Sequence, residues 1–192
     1  MKKYLRHFKT ITAHKWHVMK ACFKVGLYWQ GITHDLSKHS PIEFFTSARY
    51  FQGNKSPIDA EKIENGYSLA WQNHKARNKH HWHYWTDFEN GELVIIKMPA
   101  KYVAEMLCDW VGAGKAYNKS AWTIKSFKNW YAQNRDIYHL YTSTRAYIDM
   151  LMKHVIDEKD LYDNWISVKR IQSNYTQDLC EGCAYQQRYK LV

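Results

Sequence analysis

An all-α bundle with at most one small hairpin is the fold class this sequence predicts. Three observations carry that expectation. The N-terminal stretch places apolar residues at three- and four-residue steps, two Ser-Pro pairs mark helix starts, and the Asn90-Gly91 turn precedes a short β-branched run.

Residues 4–29 read as one helix, with Ile11, Val18, Cys22, Val25 and Trp29 on its apolar stripe and Gly26 and Gly31 at its fraying end. His14 lies one turn before Val18 and points with the stripe. His17 is three residues on and shares a face with His14. Ser40-Pro41-Ile42-Glu43 offers an N-cap serine, proline at the first helical position and an acid where a capping box needs one. A helix therefore runs to about residue 51, with Glu43 read as the cap acid. Ser56-Pro57 repeats the start signal, and Gly66 ends that shorter helix. Residues 67–78 are helical again and carry His74. Asn90-Gly91 before Leu93-Val94-Ile95-Ile96 gives a turn and an extended piece. Pro99 opens a helix whose stripe is Val103, Met106, Leu107 and Trp110, with Asp109 beside it. Further helices are expected over 121–132, 138–156 and 161–171. One domain over residues 1–175 is expected, followed by a polar tail over 176–192.

The chain has 192 residues, a length that can bury a core without disulfides or structural metal. A formal charge of +10 favours anionic partners, either small phosphorylated compounds or nucleic acid, unless it serves solubility alone. The basic N-terminus lacks the apolar core of a signal peptide, because Lys9, His14 and Lys15 interrupt it, and the protein is expected to be cytoplasmic. No run approaches the ~20 apolar residues of a membrane span, and no membrane partner is expected. Oligomeric state is left open. Cys22 and Cys108 fall in helical stripes and read as core residues. Cys180-Glu181-Gly182-Cys183 is a lone C-x-x-C, best read as two free thiols. Gly112-Ala113-Gly114-Lys115 lacks the rest of a phosphate-binding loop, and no Gly-x-Ser-x-Gly elbow or cysteine-nucleophile signature is present.

The chemistry lies in histidines and aspartates. His34-Asp35 can present two ligands to one centre from a single turn of backbone. His14, or its rival His17, lies upstream. His74, the doublet His80-His81 and Asp109 lie downstream. On one straight helix His74 and His81 would be roughly 10 Å apart along the axis, too far to share an ion. Either the helix breaks near Asn78-Lys79 or the two serve different ions. The run His80 to Trp85 could wall a pocket or form a half-buried aromatic patch, and His80 and His81 are favoured over His83. Lys38, one turn past Asp35, could offset phosphate charge or form a surface ion pair. Arg77 and Lys79 are further candidates for binding substrate.

These residues resemble the HD-domain superfamily: a helix-borne histidine, a His-Asp doublet with lysine three residues on, further histidines and a late helical aspartate. The stretch GITHDLSKHSPIEF over 31–44, with Gly66-Tyr67-Ser68-Leu69-Ala70-Trp71, Asn78-Lys79-His80-His81-Trp82 and Met98-Pro99-Ala100-Lys101-Tyr102, looks like a narrower HD-like family of uncharacterised proteins across about residues 10–115. The resemblance implies an all-helical metal-dependent phosphohydrolase. In that reading one ion is held by His14, His34, Asp35 and Asp109. A second is held by Asp35 with His74 and either His80 or His81. Asp35 and Lys38 are catalytic, and Lys38, Arg77 and Lys79 bind substrate. The ions would be one or two of Mn, Fe, Co, Ni or Zn. Gly66-Tyr67 precedes Ser68 rather than proline, so the cyclic-dinucleotide substrate of one HD subclass is not implied. Two rivals are an HD-type di-iron oxygenase and a non-enzymatic nucleic-acid-binding protein.

Overall fold

A computed structural model describes residues 2–53, 55–176 and 186–190. The N-terminal stripe forms two helices rather than the single one expected. Helix α1 spans Lys2–Lys24 and α2 spans Tyr28–Thr33. Gly26, at φ +79°, adopts the left-handed conformation that ends α1. The chain then folds back so that Gly31 packs on α1, where an added Cβ would lie 3.0 Å from Cys22 Cβ. Trp29 is thereby carried off the core stripe and is 72% exposed.

A 3₁₀ turn at Leu36–His39 leads into α3, Pro41–Tyr50, where the Ser40 hydroxyl accepts from the Glu43 N–H. Helix α4, Ile58–Asn65, ends at Gly66 with φ +78°. Helix α5 spans Leu69–Arg77 and is capped by Ser68, whose Oγ accepts from the Trp71 N–H at 3.0 Å. Buried Glu61 holds that start, taking the Ser68 hydroxyl at 2.5 Å and the Leu69 N–H at 2.7 Å. A second 3₁₀ turn, Trp82–Trp85, follows. Strands β1, Thr86–Glu89, and β2, Glu92–Ile96, form the expected hairpin, and Asn90 and Gly91 both take positive φ at its tip.

Helix α6, Ala100–Asn118, is the central element, and every residue from Val103 to Gly112 is buried. A helix covered on all sides occupies the middle of a bundle. It packs most extensively on α1. Around it lie α7 at Ile124–Asn134, α8 at Thr142–His154, and α9 at Glu158–Asp160, which runs on into a π-helical turn at Leu161–Ile166. Helix α10 spans Val168–Thr176, and β3, Gln186–Lys190, pairs antiparallel with β2. The helix expected over 161–171 is thus a π turn and a separate α-helix. The core unites Val18 and Cys22 of α1, Met106, Leu107 and Val111 of α6, and Ile148, Leu151, Leu161 and Ile166. Each such side chain contributes roughly 1.5–3 kcal/mol by burial. Cys22 and Cys108 are buried free thiols, as expected. Cys180 and Cys183 lie outside the described residues. Among the described residues no helix is long and apolar enough to cross a membrane.

Gly112 sets the distance between α1 and α6. A Cβ there would sit 2.3 Å from Val18 Cγ2 and 3.0 Å from Val18 N. The Gly112-Ala113-Gly114-Lys115 sequence is therefore a helix-packing feature and not a phosphate loop.

Candidate metal centre

The close crossing at Val18 and Gly112 fixes the residues one turn away on each helix. His14 of α1 and Asp109 of α6 face each other across it, with Nε2 and Oδ1 3.1 Å apart. His34 ends α2 in extended conformation, and Asp35 follows at φ +54°. A non-glycine residue in that region costs on the order of 1 kcal/mol or more. The turn aims both side chains inward, and each is 2% exposed. The doublet does present two adjacent side chains that could hold a metal ion from one turn of backbone.

Asp35 lies between two groups of ligands. Its Oδ2 is 3.2 Å from His14 Nε2 and 3.3 Å from His34 Nε2, and His34 Nε2 is 3.3 Å from Asp109 Oδ1. Its Oδ1 is 3.3 Å from His74 Nε2 and 3.5 Å from His80 Nε2. His81 joins this second group, its ring 4.8 Å from that of His74 and 4.2 Å from that of His80. In each group one ligand atom per residue lies within 4.8 Å of the others. Ligands held about 2.1 Å from one ion at right or tetrahedral angles are themselves about 3.0–3.4 Å apart, and most of these separations fall in that interval. Buried His34 Nε2, His80 Nε2, His81 Nε2 and Asp35 Oδ1 have no hydrogen-bond partner. Such orphaned atoms, converging on shared points, fit a cation. These buried groups could hold a metal ion.

The helix break needed for this gathering is present. Helix α5 stops at Arg77, and Asn78 turns extended while its amide donates to the His74 carbonyl at 2.8 Å and to Ser37 Oγ at 2.9 Å. His80 and His81 then return beside His74. Both belong to the second group, so neither displaces the other.

An outer layer orients the imidazoles. Glu105 Oε1 lies 3.0 Å from His34 Nδ1 and 3.2 Å from His80 Nδ1. Glu43 Oε2 lies 3.0 Å or closer to His74 Nδ1, at 2.9 Å, and accepts from the Ser37 hydroxyl at 3.1 Å. Each carboxylate takes an Nδ1–H and leaves the Nε2 lone pair facing the centre. Glu43 is not the cap acid expected of it: the Ser40 N–H bonds the Ser37 carbonyl, only the Glu43 N–H joins the Ser40 cap, and the buried carboxylate turns to His74 instead. The sequence reading passed over Glu105 altogether. Its one signal was its position four residues before Asp109, which places both acids on one face of α6.

Charge follows from this packing. Burial works against ionised Asp35, but His34, Lys38 and His74 outweigh it and hold the carboxyl well below its usual range. Burial likewise opposes charge on Asp109, yet the His14 and His34 imidazoles that face it hold its carboxyl well below the usual range. Burial disfavours protonated His34, but Asp35, Asp109 and Glu105 together raise its pKa. His74 and His81 are lowered, chiefly by burial, and stay neutral as metal ligation requires.

A cavity of about 180 Å³ lies over the centre. His14 and Asp109 line it from the first group, His74 and His81 from the second, and Lys38, Trp71 and Tyr117 complete the near wall. Lys38 Nζ sits 2.6 Å from Asp35 Oδ2, with its side chain 30% exposed. It is an ion pair at the cavity and not on the outer surface. One expectation needs correction. Arg77 and Lys79 are exposed and line no part of this cavity, because the break at Asn78 turns them outward. Lys79 instead lies over the Tyr84 ring at 5.5 Å. His17 faces a separate depression with Lys115 and Trp122, and His14 is the α1 histidine that joins the first group. His83 stacks on Trp82 at 3.6 Å and takes no part in either group.

Residues 3–154 match a protein family described as a family of unknown function (DUF5662), and the chain belongs to that family. All the residues of the centre fall within the matched segment. No curated protein matches the chain. No solved structure matches it.

Proposed function

We propose that this DUF5662 protein is a metal-dependent phosphohydrolase acting on a small phosphoester. His14, His34, Asp35 and Asp109 would hold one divalent ion, and Asp35, His74, His80 and His81 a second. The observation that carries the reading is the position of Lys38, whose ammonium touches the carboxylate shared by both groups and faces the cavity beside them. A bound ion supplies Lewis acidity toward a phosphoryl oxygen and makes nearby water more acidic. The donor set of imidazole and carboxylate suits Mn, Fe, Co, Ni or Zn.

The chain's own groups have separable parts in this chemistry. Asp35 keeps Lys38 protonated: burial works against the ammonium, but the carboxylates of Asp35 and Asp109 outweigh it and leave its pKa raised. Lys38 then binds non-bridging phosphate oxygens and offsets the charge that grows on them. Water attacks phosphorus in line with the ester oxygen. The P–O bond breaks, and the products are phosphate and an alcohol. Glu105 and Glu43 hold the imidazoles in one tautomer throughout. The resemblance of the His-Asp-x-x-Lys segment to HD-domain proteins supports the same assignment.

The test is elemental analysis of protein purified without an affinity tag, paired with hydrolysis of p-nitrophenyl phosphate after reconstitution with each of the five metals. Bound metal and turnover, both lost in Asp35→Ala, are expected. Tightly bound iron with dioxygen uptake and no phosphate release would instead assign the centre to an oxygenase. A correctly folded protein that binds none of the five metals would end both enzyme readings.

A further inference from the structure

The outer side of α1 is as regular as its buried side. Positions 5, 12 and 19, and positions 9, 16 and 23, repeat every seven residues and so share one flank of the helix. Leu5, Trp16 and Phe23 on that flank, with Phe8 beside them, are 56%, 51%, 39% and 45% exposed. The flank continues onto α2, where Tyr28 packs its ring 5.3 Å from Phe23 and Trp29 stands beside it in solvent. It continues onto α3 through Phe45, whose ring is 6.3 Å from Tyr4. About half of the ~150–250 Å² that an aromatic side chain can bury remains in water for each of these six rings (Phe8, Trp16, Phe23, Tyr28, Trp29 and Phe45), roughly 600 Å² in all. That is the upper end of what a monomer leaves in one apolar patch.

Charge decides what covers it. Residues 1–34 contain seven of the 28 Lys and Arg and none of the 18 Asp and Glu. Lys2 and Lys9 continue the heptad row of Trp16 and Phe23, and Lys20 reaches over the Trp16 ring at 4.9 Å. Lys24 is paired with Glu158, but Lys2, Lys9 and Lys20 have no carboxylate partner among the described residues, and a two-fold dimer through this face would lay one basic surface on another. A nucleic acid would use the rings and lysines but would leave Leu5, Ile32 and Ile42 without partners, since bases stack on aromatic faces. Aromatic rings, exposed aliphatic side chains and unopposed lysines together match an anionic bilayer surface, where apolar groups enter the headgroup boundary and ammonium groups meet lipid phosphates.

We propose that the α1–α2 flank docks the protein peripherally onto anionic phospholipid membranes. A surface-lying contact needs no spanning segment. The inference is independent of the metal centre, which lies on the opposite side of α1 at His14.

The test is co-sedimentation of the full chain with vesicles of phosphatidylcholine containing phosphatidylglycerol, and with vesicles of phosphatidylcholine alone. Binding to the former, absent from the latter and weakened by salt, is expected. Lys9→Glu/Lys20→Glu should lower the partition coefficient at least ~tenfold. Trp16→Ser/Trp29→Ser should lower it comparably, with circular dichroism and metal content unchanged. Failure to bind either vesicle overturns the proposal, as does equal binding to both that survives the lysine reversals. A dimer in light scattering that the tryptophan substitutions dissolve, without vesicle binding, assigns the face to a second copy of the chain. Oligonucleotide binding lost in the same variants, again without vesicle binding, assigns it to nucleic acid.

Discussion

Glu105 Oε1 lies 3.0 Å from His34 Nδ1, and the same oxygen is 3.2 Å from Nδ1 of His80. One carboxylate thereby fixes a ligand from each of the two groups. Glu105→Ala leaves two buried imidazole N–H groups without an acceptor and frees both rings to turn. Metal affinity should fall ~10–100-fold, the range seen when such outer partners are lost. Glu105→Gln keeps an acceptor oxygen without its charge and should fall near the lower end. Competition against a chromophoric chelator measures both, and unchanged affinity in Glu105→Ala would remove Glu105 from the centre.

Asp35, Asp109 and Glu105 are buried together around imidazoles that are partly neutral, and among the described residues Lys38 is the one ammonium group lining the cavity over them. Buried charge without compensation is destabilising, so a divalent ion should stabilise the fold. At a free-ion concentration about a hundred times the dissociation constant, linkage gives roughly 2.7 kcal/mol. For a chain of this length that raises Tm by about 5–10 °C. Calorimetry before and after chelation checks the shift. Asp35→Asn, which keeps the side chain's shape, should abolish it.

Gly112 permits the approach of α1 to α6 on which the His14–Asp109 pair depends. Gly112→Ala places a methyl group into Val18 and forces the helices apart. A loss of about 1–3 kcal/mol in urea unfolding is expected, typical of overpacking. Metal affinity should fall with it, because the ligands one turn away separate. A variant as stable as the parent, with metal binding intact, would show that the helices adjust without cost.

The helical architecture was legible because its signals are local. Ser40-Pro41, Gly66 and Asn90-Gly91 act through their own backbone, and each appears in the structure where the sequence placed it. The ligands were legible for a different reason: His34-Asp35 adjacent in sequence, and His74 with His80-His81 beyond a forced helix break, restrict how they can meet. What stayed hidden depends on contacts between elements. Gly26 gave the same signal whether α1 frayed or turned sharply, and only Gly31 against Cys22 decides for the turn. Glu43 and Glu105 look like ordinary helix acids until α5 and α2 bring imidazoles against them. Arg77 and Lys79 looked suited to phosphate by charge, but Asn78 directs them to solvent.

His7 gives the fold a dependence on pH separable from the metal ligands. It lies two turns before His14, between the rings of Phe44 and Phe51, and is 3% exposed. Burial, with the nearby charges of Lys38 and His39, lowers its pKa from 6.5 to about 4. Between those values the unfolded imidazole binds a proton that the folded one refuses. The stability tied to neutral His7 is complete above pH 6.5, declines as pH falls, and is gone below about pH 4. The full span is worth about 3 kcal/mol, and lowering the pH from 7 to 5 should remove roughly 2 kcal/mol of it. His83, also lowered to about 4 mainly by burial, acts in the same direction, whereas raised His34 acts in the opposite one. Comparison with His7→Phe cancels both, since those groups remain in each protein. Urea unfolding at pH 7 and pH 5 in excess chelator should show a loss smaller by about 2 kcal/mol in the variant. Equal losses in the two proteins would mean that His7 takes up its proton in the folded state as readily as in water.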